Sequence, residues 1–119
     1  MTEPTPEFIY KIVTPAVLEA AEPGGILAGM PVDAADGYIH FSTAGQLAET
    51  LARHFAGQRD LWVLAVPTAA VARDLKWEPS RGGALFPHLY ATLPLGQVTW
   101  RGRVSVAPDG TVDLPEAVR

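Results

Sequence analysis

Residues 36–46 place a turn, a short strand and the start of a helix directly one after another, and this stretch constrains the fold more than any other. Side chains on a strand point alternately to its two faces. Tyr38, His40 and Ser42 are therefore expected on one face, with the two apolar residues between them on the other. The pattern predicts a strand that covers a core on one side and carries chemically active groups on the other.

A helix is predicted to begin immediately after this strand. Thr43 and Gln46 have the spacing of a capping box, in which each side chain bonds the backbone N–H of the other residue. Leu47, Leu51 and Phe55 then recur every four residues, as on the buried face of an amphipathic helix. The sequence therefore predicts a helix that packs one face against the core.

Apolar and β-branched runs predict the other strands. Residues 8–13 predict a central strand covered on both sides, and Thr14 with Pro15 predicts a helix that ends near Ala21. Residues 26–35 predict a loop, because a proline disfavours helix at the residue before it. Further strands are predicted over residues 61–66, 75–78, 86–90 and 97–106.

The bulk composition favours one small folded unit. A chain of 119 residues with 48% apolar content can bury one core. We predict an α+β fold in which a mixed, mostly antiparallel sheet is combined with two or three short helices. The domain is predicted over residues 8–114, with residues 1–7 and 115–119 as terminal tails.

Charge and residue types argue against several classes of function. The formal net charge of −4 gives no overall attraction to nucleic acid or to anionic lipid. The absence of cysteine removes disulfides and thiolate chemistry, and the three histidines lack a metal-binding spacing. No apolar run is long enough to span a bilayer and no signal peptide is evident, so we expect a cytoplasmic protein of undetermined oligomeric state, with no membrane or nucleic-acid partner.

A second segment repeats the design of the first. If residues 86–90 are extended, Phe86, His88 and Tyr90 share one face. A histidine between hydroxyl and aromatic groups can act as a general acid or base, as a neutral hydrogen-bond donor, or as a structural support. The residues leave these three alternatives open.

Glu78 and its aromatic neighbours complete the candidate site. A carboxylate at the end of a strand and beside a glycine-rich loop is well placed to contact a ribose or a polarised water, or else to pair with a neighbouring cation. Trp77, Phe86 and Tyr90 offer rings that can stack on a planar ligand, although such rings also build cores.

Four ordered motifs in the chain resemble the domain of unknown function 952 family of small bacterial proteins. They are residues 9–12, 36–43, 75–79 and 86–90, and the resemblance covers residues 8–104. It implies an α+β arrangement similar to the ADP-ribosylation fold, which NAD-consuming transferases share with RNA 2′-phosphotransferases. The scattered arginines and negative charge favour the first of these two analogies.

The resemblance to ADP-ribosyltransferases implies NAD as the candidate substrate and implies a role for each candidate residue. Glu78, His40 and His88 would be catalytic. The ligand-binding residues would be Tyr10, Lys11, Tyr38, Ser42, Thr43, Trp77, Phe86 and Tyr90. The alternatives are a non-catalytic module that binds a small, nucleotide-like metabolite and a protein-interaction domain whose surface is the last pair of strands. No metal is expected.

Overall fold

The computed structural model describes residues 5–118, with Arg81 described by its backbone alone. Eleven helices and strands lie in this part of the chain, and short 3₁₀ turns connect several of them. In chain order they are β1 (Phe8–Val13), α1 (Pro15–Ala21), β2 (Ile26–Leu27), α2 (Pro31–Asp36), β3 (Ile39–His40), α3 (Ala44–His54), β4 (Leu61–Pro67), β5 (Leu75–Pro79), β6 (Leu85–Leu89), β7 (Leu93–Pro94) and β8 (Trp100–Val104). The predicted α+β class and small single domain are confirmed.

The strands form two three-stranded antiparallel sheets and a short ribbon. The first sheet has the order β1-β4-β8, the second has the order β3-β6-β5, and β2 pairs with β7. An isolated bridge between Tyr10 and Ser42 joins the two larger sheets through hydrogen bonds of 2.8 and 2.9 Å. The prediction that β1 is central is therefore wrong for its own sheet, in which β4 lies in the middle, although β1 is the strand next to the second sheet.

The core consists of two apolar clusters on opposite sides of β1. Ile9 and Val13 point into the first cluster, whereas Tyr10 and Ile12 point into the second. The alternation follows from the two-residue period of a strand. The predicted coverage of β1 on both sides is confirmed, and this burial positions the residues that β1 presents toward the second sheet.

The predicted loop over residues 26–35 is wrong, because it contains β2 and most of α2. Pro31 occupies the first turn of α2, where a missing N–H costs nothing and the fixed φ suits a helix. Gly37 ends the helix in the left-handed conformation with φ +87°. Pro31 therefore begins a helix rather than preventing one.

Helix α3 forms as predicted. The Thr43 N–H donates to Gln46 Oε1 at 3.0 Å. The Nε2 of the same Gln46 side chain donates to the carbonyl of Leu85 at 2.8 Å. Leu47 and Leu51 are fully buried in the second cluster. The cap thus joins the start of α3 to β6, so the helix and the second sheet are held in a fixed relation.

The last strand is shorter than predicted, because residues 95–97 form a 3₁₀ turn instead of extending it. Residues 108–110 turn as expected, and Val112 and Leu114 pack against the second cluster. Of the predicted tails, residues 1–4 and 119 lie outside the described part of the chain. The carbonyl of Glu7 accepts a hydrogen bond from Thr68 at 2.9 Å, and Val118 packs against the second cluster.

Candidate functional site

A cleft of about 590 Å³ opens where the two sheets meet. Ligand sites commonly enclose about 300–1,000 Å³, so the cleft can hold a small organic molecule. One wall comes from the start of α2 and another from the end of α3, including Val32 and Phe55. Six of the predicted site residues line it, namely Tyr10, Lys11, His40, Ser42, Phe86 and His88.

The two predicted histidines lie side by side in this cleft. His40 and His88 are directly opposite in the antiparallel register of β3 and β6, and their ring centroids are 5.3 Å apart. Tyr38 stacks on His88 at 4.2 Å and lies 5.1 Å from the ring of Tyr90. The predicted shared face is therefore confirmed, and the two segments that resemble each other in sequence meet as cross-strand neighbours.

Glu78 fixes the ring of His88 through its Nδ1 atom. Its Oε1 lies 2.8 Å from His88 Nδ1 and accepts a hydrogen bond from the Tyr90 hydroxyl at 2.7 Å. These hydrogen bonds, from Tyr90 and then from His88, lower the pKa of Glu78. Since a carboxylate only accepts, Nδ1 carries the hydrogen of a neutral His88 and Nε2 keeps a lone pair. The arrangement suits His88 to act as a hydrogen-bond acceptor or a base.

Tyr90 and Lys76 border this group. The hydrogen bond from the Tyr90 hydroxyl to the Glu78 carboxylate raises the pKa of Tyr90 to about 12, so this hydroxyl stays protonated at neutral pH. The Lys76 ammonium lies 4.7 Å from the centroid of the Tyr90 ring, the distance of a cation–π contact. Tyr38, Glu78 and Tyr90 are thus placed around His88, although none of them is among the described residues that line the cleft.

Asp33 holds the other histidine and is the most connected buried group near the cleft. Its Oδ1 accepts from the His40 backbone N–H at 3.0 Å and lies 2.6 Å from His40 Nδ1. Its Oδ2 accepts from the Met30 N–H at 2.6 Å and pairs with the Lys11 ammonium at 2.8 Å. One carboxylate that is 2% exposed therefore links β1, the start of α2 and β3.

Burial and ion pairing have opposite effects on the pKa values of Asp33 and Lys11. Burial favours a raised pKa for Asp33, but hydrogen bonds from His40 and the charge of Lys11 outweigh it and lower the pKa to about 2. Burial lowers the pKa of Lys11, and Asp33 opposes that change. The buried Asp33 carboxylate is therefore held ionised by the four donor groups that Met30, His40 and Lys11 direct at it.

The pKa of Asp33 predicts a loss of stability in acid. The pKa of Asp33 is about 2 in the folded chain and ordinarily 3.8. At pH values above the ordinary pKa, the ionised carboxylate therefore contributes on the order of 2 kcal/mol to the free energy of unfolding. The contribution is complete near neutral pH and disappears as pH falls through the folded pKa. Urea unfolding between pH 6 and pH 2 measures it. A free energy of unfolding of the parent that does not fall between pH 4 and pH 2 would contradict this assignment.

His40 lies between two carboxylates. Its Nδ1 contacts Asp33 at 2.6 Å and its Nε2 contacts Asp36 at 2.9 Å. The Nδ1 contact is a hydrogen bond, and either contact becomes an ion pair when the ring is protonated. One imidazole at the cleft thus faces two carboxylates of α2 and lies beside the ring of His88.

Gly29 makes room for the Asp33 carboxylate. Its φ is +112°, and a Cβ built there would lie 2.6 Å from Asp33 Oδ2. We expect Gly29→Ala to lower the free energy of unfolding by about 2–3 kcal/mol, because the side chain clashes and the backbone is strained. Chemical denaturation measures the loss. Gly24→Ala is the matched control, since nothing lies within 4 Å of its Cβ position, and equal losses in the two variants would contradict the clash.

Two predicted binding residues lie elsewhere. Thr43 caps α3, and Trp77 points to the opposite face of β5 and packs against the first cluster. Two residues that contact the histidine His40, Asp33 and Asp36, were missed, because the sequence was interpreted as a loop at Asp33 and as a turn at Asp36. The signals that identify them are the proline that starts a helix two residues before Asp33 and the four-residue spacing from Asp36 to His40.

Among residues 5–118, no cluster of three or more carboxylates and imidazoles is arranged to hold a metal ion. No helix in this range combines the length and apolarity needed to cross a membrane. The cytoplasmic location stays a prediction.

Comparisons with known proteins identify relatives of known structure. The crystal structure of protein CC0527 from Caulobacter crescentus is 45% identical, with a TM-score of 0.84 over 89% of this chain and 93% of that one. The solution NMR structure of CC0527 is 46% identical, with a TM-score of 0.77 over 89% of this chain and 90% of that one. No curated protein matches the chain. The family model described as protein of unknown function DUF952 matches residues 12–101, so the chain belongs to this family.

Proposed function

We propose that the cleft binds a nucleotide-like ligand, with NAD as the leading candidate and ADP-ribosyltransferase-like chemistry as the leading reaction. The observation that carries the proposal is the pair His40 and His88, which lie opposite each other in the cleft and are each fixed by a carboxylate. Imidazoles that carboxylates hold in place are well suited to proton transfer.

The position of the cleft supports the same proposal. It lies between two three-stranded sheets, beside β1 and Ser42, which are the elements that the resemblance to the ADP-ribosylation fold assigns to the NAD site. The resemblance to that fold is itself part of the proposal. Tyr10 and Phe86 supply aromatic surface within the cleft for a planar ring.

Each residue then has a proposed role in cleaving the bond between nicotinamide and ribose. His40 positions the Asp36 carboxylate at the cleft through its Nε2, and His88 Nε2 accepts a hydroxyl proton from the ribose or the acceptor. Glu78 acts through His88, since its carboxylate is already engaged by that ring and by Tyr90. Its negative charge also offsets the positive charge that develops on the ribose in the transition state.

Glu78→Gln tests the proposal. Removing the charge that orients His88 is expected to slow nicotinamide release from NAD by about 10- to 100-fold. Product analysis over time measures the rate, and ligand-observed NMR measures NAD binding in the same samples. Glu22→Gln is the matched control, because it removes a carboxylate that pairs with Arg101 at 3.2 Å and is not among the described residues of the cleft.

The outcomes separate the candidate functions. Nicotinamide release that falls in Glu78→Gln and not in Glu22→Gln supports the enzyme. Saturable binding of intact NAD without release supports a non-catalytic binding module. Absence of NAD binding by the parent protein contradicts the NAD proposal and directs attention to the protein-interaction alternative.

A further inference from the structure

The charges around the cleft restrict the ligand further. Phosphate-binding sites in proteins present arginine, lysine or free backbone N–H groups to the anion. Among the described side chains that line this cleft, Lys11 is the one lysine and there is no arginine. Among these described lining residues, positive charge can therefore come from Lys11 and from His40, His54 and His88.

Lys11 is already engaged within the fold. Its ammonium is paired with Asp33 at 2.8 Å and donates to the carbonyl of His40 at 3.1 Å. The residue is 4% exposed, and its pairing partner is equally buried. Moving the ammonium to a ligand would leave the Asp33 carboxylate buried without its cation, which is strongly unfavourable.

Both ring nitrogens of His40 also face carboxylates, and Asp36 places a carboxylate on the cleft. Asp36 lines the cleft and contacts His40 Nε2 at 2.9 Å, with 45% of its side chain exposed. Asp33 occupies the other nitrogen of the same ring. Near the mouth of the cleft, the Lys76 ammonium lies over the ring of Tyr90 and is not among the described lining residues.

We infer that the cleft recognises the nicotinamide riboside half of NAD, a flat cationic heteroaromatic group on a ribose, and that no phosphate of the ligand enters it. This inference rests on the proposed function. Asp36 repels a phosphate dianion and attracts the pyridinium cation, since charges a few ångströms apart interact appreciably even near a surface. The apolar lining supplied by Phe86 and Val32 then covers the ring. In intact NAD, the diphosphate and adenosine extend into solvent.

A matched pair of ligands tests the inference. Nicotinamide riboside and nicotinamide mononucleotide differ by one phosphate, so their dissociation constants for the parent protein isolate the effect of that group. We expect nicotinamide riboside to bind about three- to tenfold more tightly at low salt, with a smaller difference at 0.5 M salt because screening weakens the repulsion. In Asp36→Asn the preference should fall to about twofold or less. Asp113→Asn, an exposed carboxylate that does not line the cleft, should leave it unchanged.

The outcomes distinguish this inference from the proposed function. Equal or tighter binding of the mononucleotide overturns the inference while NAD binding still stands. Inorganic pyrophosphate that competes with nicotinamide riboside also overturns it, because a phosphate would then occupy the cleft. Failure of NAD, the riboside and the mononucleotide to bind at all overturns both.

Discussion

Asp33→Asn is expected to lower the free energy of unfolding by about 3–5 kcal/mol. The substitution leaves the Lys11 ammonium buried without an anion and removes the charge that faces His40 Nδ1. A small domain has a total stability of about 5–15 kcal/mol, so the variant is expected to be marginally folded at best. Urea unfolding at neutral pH, followed by circular dichroism, measures the loss.

The double variant Lys11→Met with Asp33→Asn provides the control. It removes both charges while keeping most of the side-chain volume, so it should be more stable than Asp33→Asn alone. The interaction energy between the two positions is the change in the free energy of unfolding in the double variant minus the sum of the changes in the two single variants. This double-mutant cycle therefore needs all three variants and the parent. A loss below about 1 kcal/mol in Asp33→Asn would contradict the role of this carboxylate as the link between β1, α2 and β3.

Phe41→Ala is expected to cost about 3–5 kcal/mol, because a fully buried ring leaves a cavity that its neighbours fill only partly. Phe41 is 2% exposed and belongs to the first apolar cluster. Its backbone N–H donates to the carbonyl of Pro87 at 3.0 Å, at the register position next to the His40–His88 pair, and Phe41 also lines the cleft. The cavity would therefore open at the wall of the candidate site.

Two comparisons identify the cause of that loss. Phe41→Leu retains most of the apolar volume and should cost about 1–2 kcal/mol. Phe8→Ala is the matched change at a half-buried position at the edge of the second cluster and away from the described lining of the cleft, and it should cost less than Phe41→Ala. Imidazole NMR signals of His40 and His88 should move in Phe41→Ala and not in Phe8→Ala. Unmoved signals would show that the packing of Phe41 does not set the histidine geometry.

Local periodicity predicted much of the fold. The two-residue alternation of residues 38–42 and the four-residue spacing of Leu47 and Leu51 depend only on strand and helix geometry, and both match the structure. The pairing of His40 with His88 was anticipated only as two similar faces. Which strands become neighbours depends on long-range packing, and a single sequence gives no direct signal for that choice.

The errors have the same origin. Pro31 was interpreted by its effect on the preceding residue, whereas the structure uses it at the first helical position, where its fixed φ is favourable. Asp33 and Asp36 became functional candidates only when α2 was seen to lie against β3. Trp77 has the composition of a ligand-stacking residue, but its side of the strand decided that it joined the core.

The bridge between Tyr10 and Ser42 has a consequence for motion. The backbone connection between the two sheets consists of one residue pair in the described chain, so the sheets can separate at this seam without losing any ladder within either sheet. Opening at the seam would change the width of the cleft and would expose these two amides to solvent exchange before the strands themselves unfold. A molecule that contacts both sheets favours the closed seam. Binding of such a molecule and slower exchange of these two amides are therefore expected to occur together.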